Sequence, residues 1–245
     1  MKTLTEIFNI KKGDVVSIVG SGGKTSLLFM LAEELKNECR LLVSTSAKIL
    51  KPAENDYDHL YLNINTYLSK RKENSSGITV VSKDIDDTKR KLLGIDDNDL
   101  DLLIPDFDII LLEADGSKGM PLKGWKNHEP PVLNKTTKTI GVMPVNLINK
   151  KINKEFIYGF DEFNILTGNS EYINFEAIGK ICSHKDGIFK NSTGSLYLFL
   201  NKSDTEEEIA AATELSKYLN EFIINESLKF KICYGSLKKG VYYEC

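Results

Sequence analysis

The strongest constraint on this chain is a strand, a glycine-rich turn and a helix in immediate succession. Val15–Val19 (Val-Val-Ser-Ile-Val) is a short apolar run rich in β-branched residues, which reads as a buried strand. Gly20-Ser21-Gly22-Gly23-Lys24-Thr25 follows at once. Thr25–Leu35 then sets Leu27, Leu28, Leu31, Ala32 and Leu35 at helical spacing, and Leu41–Thr45 reads as a second strand. Residues 15–45 thus form a complete βαβ unit. Such units build a mostly parallel sheet with helices on both faces.

Glycines tolerate positive φ and let successive backbone N–H groups converge on one anion. The helix that follows adds its positive end at the same spot. In this reading Gly20, Ser21, Gly22 and Gly23 cradle phosphates, and Ser26 continues the binding edge into the first helical turn. Lys24 supplies a mobile charge for the β- and γ-phosphates, and the Thr25 hydroxyl ligates Mg²⁺. The loop is shorter than the usual G-x-x-x-x-G-K-[ST] pattern, because the position five before Gly23 is Ile18, inside the strand. The expected ligands are Mg²⁺ and GTP or ATP.

Further strands are expected at Leu60–Leu62, Ile78–Val81, Phe107–Leu112, Lys138–Val142, Ser195–Leu200 and Phe230–Tyr234. Helices are expected at Thr66–Lys70, Asp84–Leu93, Asp97–Leu103 and Thr205–Phe222. The predicted architecture is a single α/β domain over residues 1–245, with a three-layer sheet like that of P-loop NTPases. Residues 113–135 stand out as a long, specific loop that carries the only Trp. Loops of that length inside a compact domain are usually functional or disordered, and the specific residues of this one favour function.

Phe107–Leu112 is the most apolar run and ends in Glu113-Ala114-Asp115-Gly116. Carboxylates at i and i+2 share a side of an extended chain. Glu113 and Asp115 are therefore both expected, with Thr25, to hold Mg²⁺ and to act with Lys24 in catalysis. Asp108, at the other end of the strand, reads as solvated. Asn201-Lys202-Ser203-Asp204 follows a strand, as the guanine-reading Asn-Lys-x-Asp does. There the Asp accepts from two guanine N–H groups, the Lys stem covers the base and the Asn braces the phosphate loop. Asp204 serves equally as an N-cap for the next helix. Thr45 and Lys48, after the second strand, are candidates for the γ-phosphate. Lys118, Lys123, His128 and Glu129 are candidates for an acidic substrate and for proton transfer.

The charge balance argues against several partners. Lys+Arg total 32 against Asp+Glu 35, giving a net charge of −3, which leaves no electrostatic footprint for nucleic acid. No apolar run approaches the roughly 20 residues of a membrane span. Cys39, Cys182, Cys233 and Cys245 are scattered without a Cys-x-x-Cys pair, as expected of reduced thiols in the cytoplasm.

Several blocks occur here in one order: Gly-Ser-Gly-Gly-Lys-Thr, Ser-Thr-Ser-Ala-Lys, Glu-Ala-Asp-Gly-Ser-Lys-Gly-Met-Pro-Leu-Lys, His-Glu-Pro-Pro and Leu-Asn-Lys-Ser-Asp. Together they resemble the YqeC family, accessory proteins of selenium-dependent molybdenum hydroxylases. The likeness runs from about residue 10 to 235 and is most specific over residues 113–131. It implies a role in maturing a selenium-containing molybdenum cofactor, with the hydroxylase or that cofactor as partner. Nucleotide hydrolysis or phosphoryl transfer would drive the step. The alternatives are a nucleotide-dependent switch or metallochaperone without turnover, and an ATP-dependent ligase, since the shortened loop is also similar to that of Mur ligases.

Overall fold

The computed structural model describes residues 2–71, 77–86, 88, 90–225 and 228–245. The strands are β1 (Val15–Gly20), β2 (Leu41–Thr45), β3 (Ile49–Leu50), β4 (His59–Tyr61), β5 (Ile78–Val81), β6 (Asp84–Asp86), β7 (Lys91–Leu93), β8 (Ile109–Glu113), β9 (Leu122–Lys123), β10 (Lys138–Pro144), β11 (Ile157–Tyr158), β12 (Ser195–Asn201), β13 (Lys231–Ser236) and β14 (Val241–Glu244). The helices are α1 (Leu4–Ile7), α2 (Lys24–Leu35), α3 (Ile64–Lys70), α4 (Asp97–Leu103), α5 (Phe160–Thr167), α6 (Phe175–Ser183) and α7 (Glu206–Phe222). Nine strands form one sheet in the order β14-β13-β12-β10-β1-β8-β2-β5-β4. Every pairing in it is parallel except β13 with β14. The expected three-layer, mostly parallel α/β architecture is what the chain adopts.

Side-chain alternation along each strand feeds two faces. Val16 and Ile18 of β1, Ile109 and Leu111 of β8, and Tyr197 and Phe199 of β12 pack with Leu27, Leu28 and Leu31 of α2 and with Leu4 and Phe8 near α1. The intervening residues serve the opposite face. There Leu198 and Leu200 meet Leu215 and Leu219 of α7, while Ile110 and Leu112 meet Leu100 and Leu103 of α4. Because both faces are covered, the central strands are buried along their whole length, which is why they read as continuous apolar runs.

Several elements differ from the sequence reading. Asp84–Leu93 is not a helix. Ile85 pairs opposite Leu92 across β6 and β7, β3 adds to β7 as a third strand, and Leu92, the one buried side chain of β6 and β7, packs into the core on the α2 face with Ile49 beside it. Residues 87 and 89 of that segment lie outside the described residues. Within 113–135, β9 pairs in parallel with β11, and Leu122, Lys123 and Trp125 are buried. That stretch is a folded element as much as a loop. α1, α5, α6 and β14 were not expected, because none carries a long periodic pattern. The four cysteines are free, and no helix among the described residues is long and apolar enough to cross a membrane.

Asp108 is partly exposed, as expected, but it is also paired. It accepts from the Arg40 backbone N–H at 2.9 Å and from its guanidinium at 3.0 Å, tying the start of β2 to the residue before β8. The Arg40 side-chain and backbone donors hold its carboxyl at about 2, below the ordinary 3.8. A carboxyl held below its unfolded value stabilises the fold at neutral pH and loses that contribution as pH falls through both values. Urea unfolding should therefore show wild type more stable than Asp108→Asn at neutral pH. The gap should close progressively between about pH 4 and about pH 2. A gap that did not change with pH would assign the effect to the hydrogen bonds alone.

Candidate functional site

β1 sits where the order of strand addition reverses. The chain first builds outward from β1 to β2, returns to insert β8 beside β1, and then crosses to β10 on the other side. In open α/β sheets the crevice beyond the carboxyl ends of the strands at such a reversal is where ligands bind. Residues 20–25 lie in that crevice.

The glycines of this loop are conformationally required. Gly20, Gly22 and Gly23 all have positive φ. A Cβ on Gly20 would lie 2.3 Å from the Val142 carbonyl oxygen, and one on Gly23 would lie 2.3 Å from Asn201 Nδ2. The loop is also held from several sides. Ser21 donates its N–H to the Val142 carbonyl and its hydroxyl to the Pro121 carbonyl, both at 2.9 Å. Asn201 Nδ2 donates to the Gly22 carbonyl at 2.8 Å and, through Oδ1, accepts from the Leu237 N–H. Helix α2 starts at Lys24 with Gly23 as a cap that has no side chain to offer, so its first N–H groups are left facing the crevice.

At the tip of β8, Glu113 is buried and meets this loop. Thr25 Oγ1 donates to Glu113 Oε2 at 2.7 Å, and Lys24 Nζ lies 3.7 Å from Oε1. Burial raises the Glu113 carboxyl above its ordinary range, against the pull of Lys24 and the Thr25 hydroxyl. A hydroxyl beside a carboxylate is a hard-oxygen pair suited to Mg²⁺, which takes one or two protein ligands and completes its shell with phosphate and water. No cluster of three or more His, Cys, Asp or Glu among the described residues could cage a metal by itself.

Asp115 does not join that pair. Strand β8 ends at Glu113, so the strict alternation that would have set both carboxylates on one side stops there. Asp115 instead accepts from Lys123 Nζ at 2.6 Å, Trp125 Nε1 at 2.8 Å and the Gly20 N–H at 3.0 Å. Burial pushes its carboxyl up, and Lys123 and Lys24 pull it back. It braces the opening of the glycine loop, and both its oxygens are taken up by these donors, unlike the Thr25–Glu113 pair.

The crevice opens into a cleft of about 1420 Å³. Of the residues expected from the sequence, Gly22, Gly23, Lys24, Thr25, Ser26, Lys48, Glu113, Lys118, His128, Glu129, Asn201, Lys202 and Asp204 line it. Thr45 does not, since its buried hydroxyl donates to the Glu113 carbonyl at 2.7 Å and accepts from the Ala47 N–H. Lys123 is excluded too. It is fully buried between Asp115 and Glu129, at 2.6 and 3.0 Å, so it cannot reach a substrate. Glu129 is thereby committed to Lys123 and to the Lys126 N–H, which undoes the expected His128–Glu129 proton-transfer pair. Asp204 is not the cap of α7, because Thr205 takes that position in a capping box with Glu208. The Asp204 carboxylate accepts instead from the Ser236 hydroxyl.

Sequence reasoning missed Leu237, Lys238, Tyr158, Lys91 and Asn146, all of which line the cleft. Asn146 Oδ1 is buried with no hydrogen-bond partner among the described residues. None of these residues lies in a recognisable motif, and only the folded topology brings them to the cleft.

The fold and this site define a three-layer α/β protein with a braced glycine loop at the point where the order of strand addition reverses. The family model described as YqeC protein matches residues 16–161. "Uncharacterized protein YqeC" from Escherichia coli (strain K12) is 30% identical over 218 residues, spanning 86% of this chain and 84% of its own length. This chain belongs to the YqeC family.

Proposed function

We propose that this chain binds a Mg²⁺-chelated nucleoside triphosphate, with guanine preferred as its base. Hydrolysis or transfer of the terminal phosphoryl group would serve the maturation of a selenium-dependent molybdenum hydroxylase cofactor. The observation that carries the nucleotide reading is the Thr25–Glu113 hydrogen bond of 2.7 Å beside Lys24. Three groups suited to a metal and a β/γ-phosphate meet at the uncapped start of α2. Thr25 and Glu113 would hold Mg²⁺, whose contribution is to neutralise charge on the phosphates. Lys24 would orient the terminal phosphate, and the first-turn N–H groups would bind its oxygens. The hydroxylase role rests on the family resemblance.

Mg²⁺ dependence tests the reading. Glu113→Gln should weaken binding of the Mg²⁺-nucleotide complex by about tenfold, the worth of one charge-assisted contact, while metal-free nucleotide binds as before. Calorimetry with and without Mg²⁺ measures both, and equal losses would assign Glu113 a structural role.

Guanine is favoured because Asn201 braces the Gly22 carbonyl while Lys202 and Asp204 line the same cleft, the division of labour that Asn-Lys-x-Asp requires. Competition binding should rank GTP above ATP. Asp204→Asn should lower GTP affinity by about tenfold or more, because one charge-assisted hydrogen bond is worth about 1.5–3 kcal/mol. A wild-type preference for ATP would end the guanine reading.

A further inference from the structure

The cleft is larger than the roughly 300–1,000 Å³ that suits a single ligand, at about 1420 Å³. Sheet order divides it. Asn201, Lys202, Asp204, Leu237 and Lys238 lie on the β12–β13 side of the glycine loop, whereas Lys48, Ile49 and Leu50 follow β2 on the β8 side. Residues 116–121, which leave β8, continue that second region.

Charge distinguishes the cleft from the rest of the molecule. Its lining carries Lys24, Lys48, Lys91, Lys118, Lys202 and Lys238 against Glu113, Glu129 and Asp204, in a chain whose net charge is −3. Of these, Lys24 is paired with Glu113, Lys48 with Asp86, and Glu129 with the buried Lys123, while Asp204 accepts from the Ser236 hydroxyl. Lys91, Lys118, Lys202 and Lys238 remain without an ion pair among the described residues. Tyr158, which lines the cleft beside Lys118, draws in two further lysines from outside the lining. Lys118, Lys123 and Lys126 place Nζ 5.5, 4.9 and 5.9 Å from its ring centroid. Lys123 is neutralised by Asp115 and Glu129. Lys118 and Lys126 form no ion pair among the described residues. An aromatic face attracts each ammonium singly, but it does not offset their mutual repulsion. An anion within reach of both would.

We propose that this second region, which Lys118 and Tyr158 line and which Lys126 flanks through the same Tyr158 ring, binds a small phosphate-bearing molecule next to the nucleotide, as the second reactant of the reaction. The assignment of it as second reactant rests on the nucleotide reading above; the anion site itself does not. Lysine ammoniums act on phosphate as point charges and need no fixed fork geometry, so two mobile lysines over one ring suit a compact phosphoryl group.

The test is titration of inorganic pyrophosphate by calorimetry into the full chain saturated with Mg²⁺ and a non-hydrolysable GTP analogue. Wild type should bind one further anion. Replacing Lys118 and Lys126 together by Ala should weaken that event by roughly tenfold or more while leaving affinity for the GTP analogue unchanged. Both lysines are exposed, so an unchanged melting temperature without ligand should confirm that the variant folds. The proposal is overturned if no second anion binds, if the variant binds it equally, or if pyrophosphate merely displaces the nucleotide. Malonate binding as tightly as pyrophosphate would overturn the phosphate class. Pyrophosphate titrated into Lys24→Ala without nucleotide separates the two readings. Binding that persists there and is lost on replacing Lys118 and Lys126 supports this site even if wild type binds no nucleotide.

Discussion

Replacing Lys24 by Ala should weaken Mg²⁺-triphosphate binding by roughly 100-fold or more, about 3 kcal/mol, since a multiply donating charge is lost from the phosphate end. Lys24 is buried and its Nζ lies 3.7 Å from Glu113, so it enters the crevice already aimed at the mouth of α2. No second lysine of the loop can replace it. Lys48 is engaged with Asp86 at 2.7 Å, and Lys202 belongs to the β12 side. The fold itself should survive, because Glu113 keeps the Thr25 hydroxyl donor at 2.7 Å and its raised proton affinity lets it take up a proton in place of the lost charge. Thermal unfolding with and without ligand checks both halves of this expectation. Saturating ligand at 100 Kd adds about 2.7 kcal/mol to wild type and, after a 100-fold loss of affinity, should add only about 0.4 kcal/mol to the variant. Equal affinity by calorimetry would sink the phosphate-binding reading.

The second large effect is on stability. Asp115→Ala should destabilise the protein by about 3–5 kcal/mol, the range for breaking one partner out of a buried ion pair. Asp115 and Lys123 are both fully buried and 2.6 Å apart. Trp125 Nε1 and the Gly20 N–H also lose their acceptor. Glu129, 3.0 Å from Lys123, retains part of the counter-charge and sets the expectation near the lower end. Denaturant unfolding measures the loss, and combining Asp115→Ala with Lys123→Met should recover part of it, because contacting residues are not additive. A loss below about 1 kcal/mol would place Asp115 among ordinary surface-type contacts. The same substitution frees the entry of the glycine loop, so nucleotide affinity is expected to fall with stability.

The order of elements was legible because both periodicities are local. An apolar run of five or six residues announces a buried strand, and the leucines of α2 announce a helix. Those signals placed β1, α2, β2, β5, β8, β10, β12, α7 and β13 to within about two residues, the usual blur at element ends. The glycine loop was legible as well, since positive φ and close backbone approach leave few residue types besides Gly. The Asn201 brace on that loop was also anticipated from the spacing of Asn201-Lys202-Ser203-Asp204.

What the sequence could not decide is which partner each polar side chain takes. Glu113 and Asp115 look equivalent along the chain. They part because β8 stops at Glu113, and because Trp125 and Lys123 return from β9 to claim Asp115. Lys123 looks like a lysine for an acidic substrate until the pairing of β9 with β11 buries it. Thr45 looks like a ligand until its hydroxyl is counted among the hydrogen bonds that close the β2–β8 corner. A buried polar group must find a partner, and which partner lies within about 3 Å is fixed by elements far apart in the chain. Local pattern therefore determined the strands, the helix and the loop between them. Tertiary packing decided which charges face the cleft and which hold it in shape.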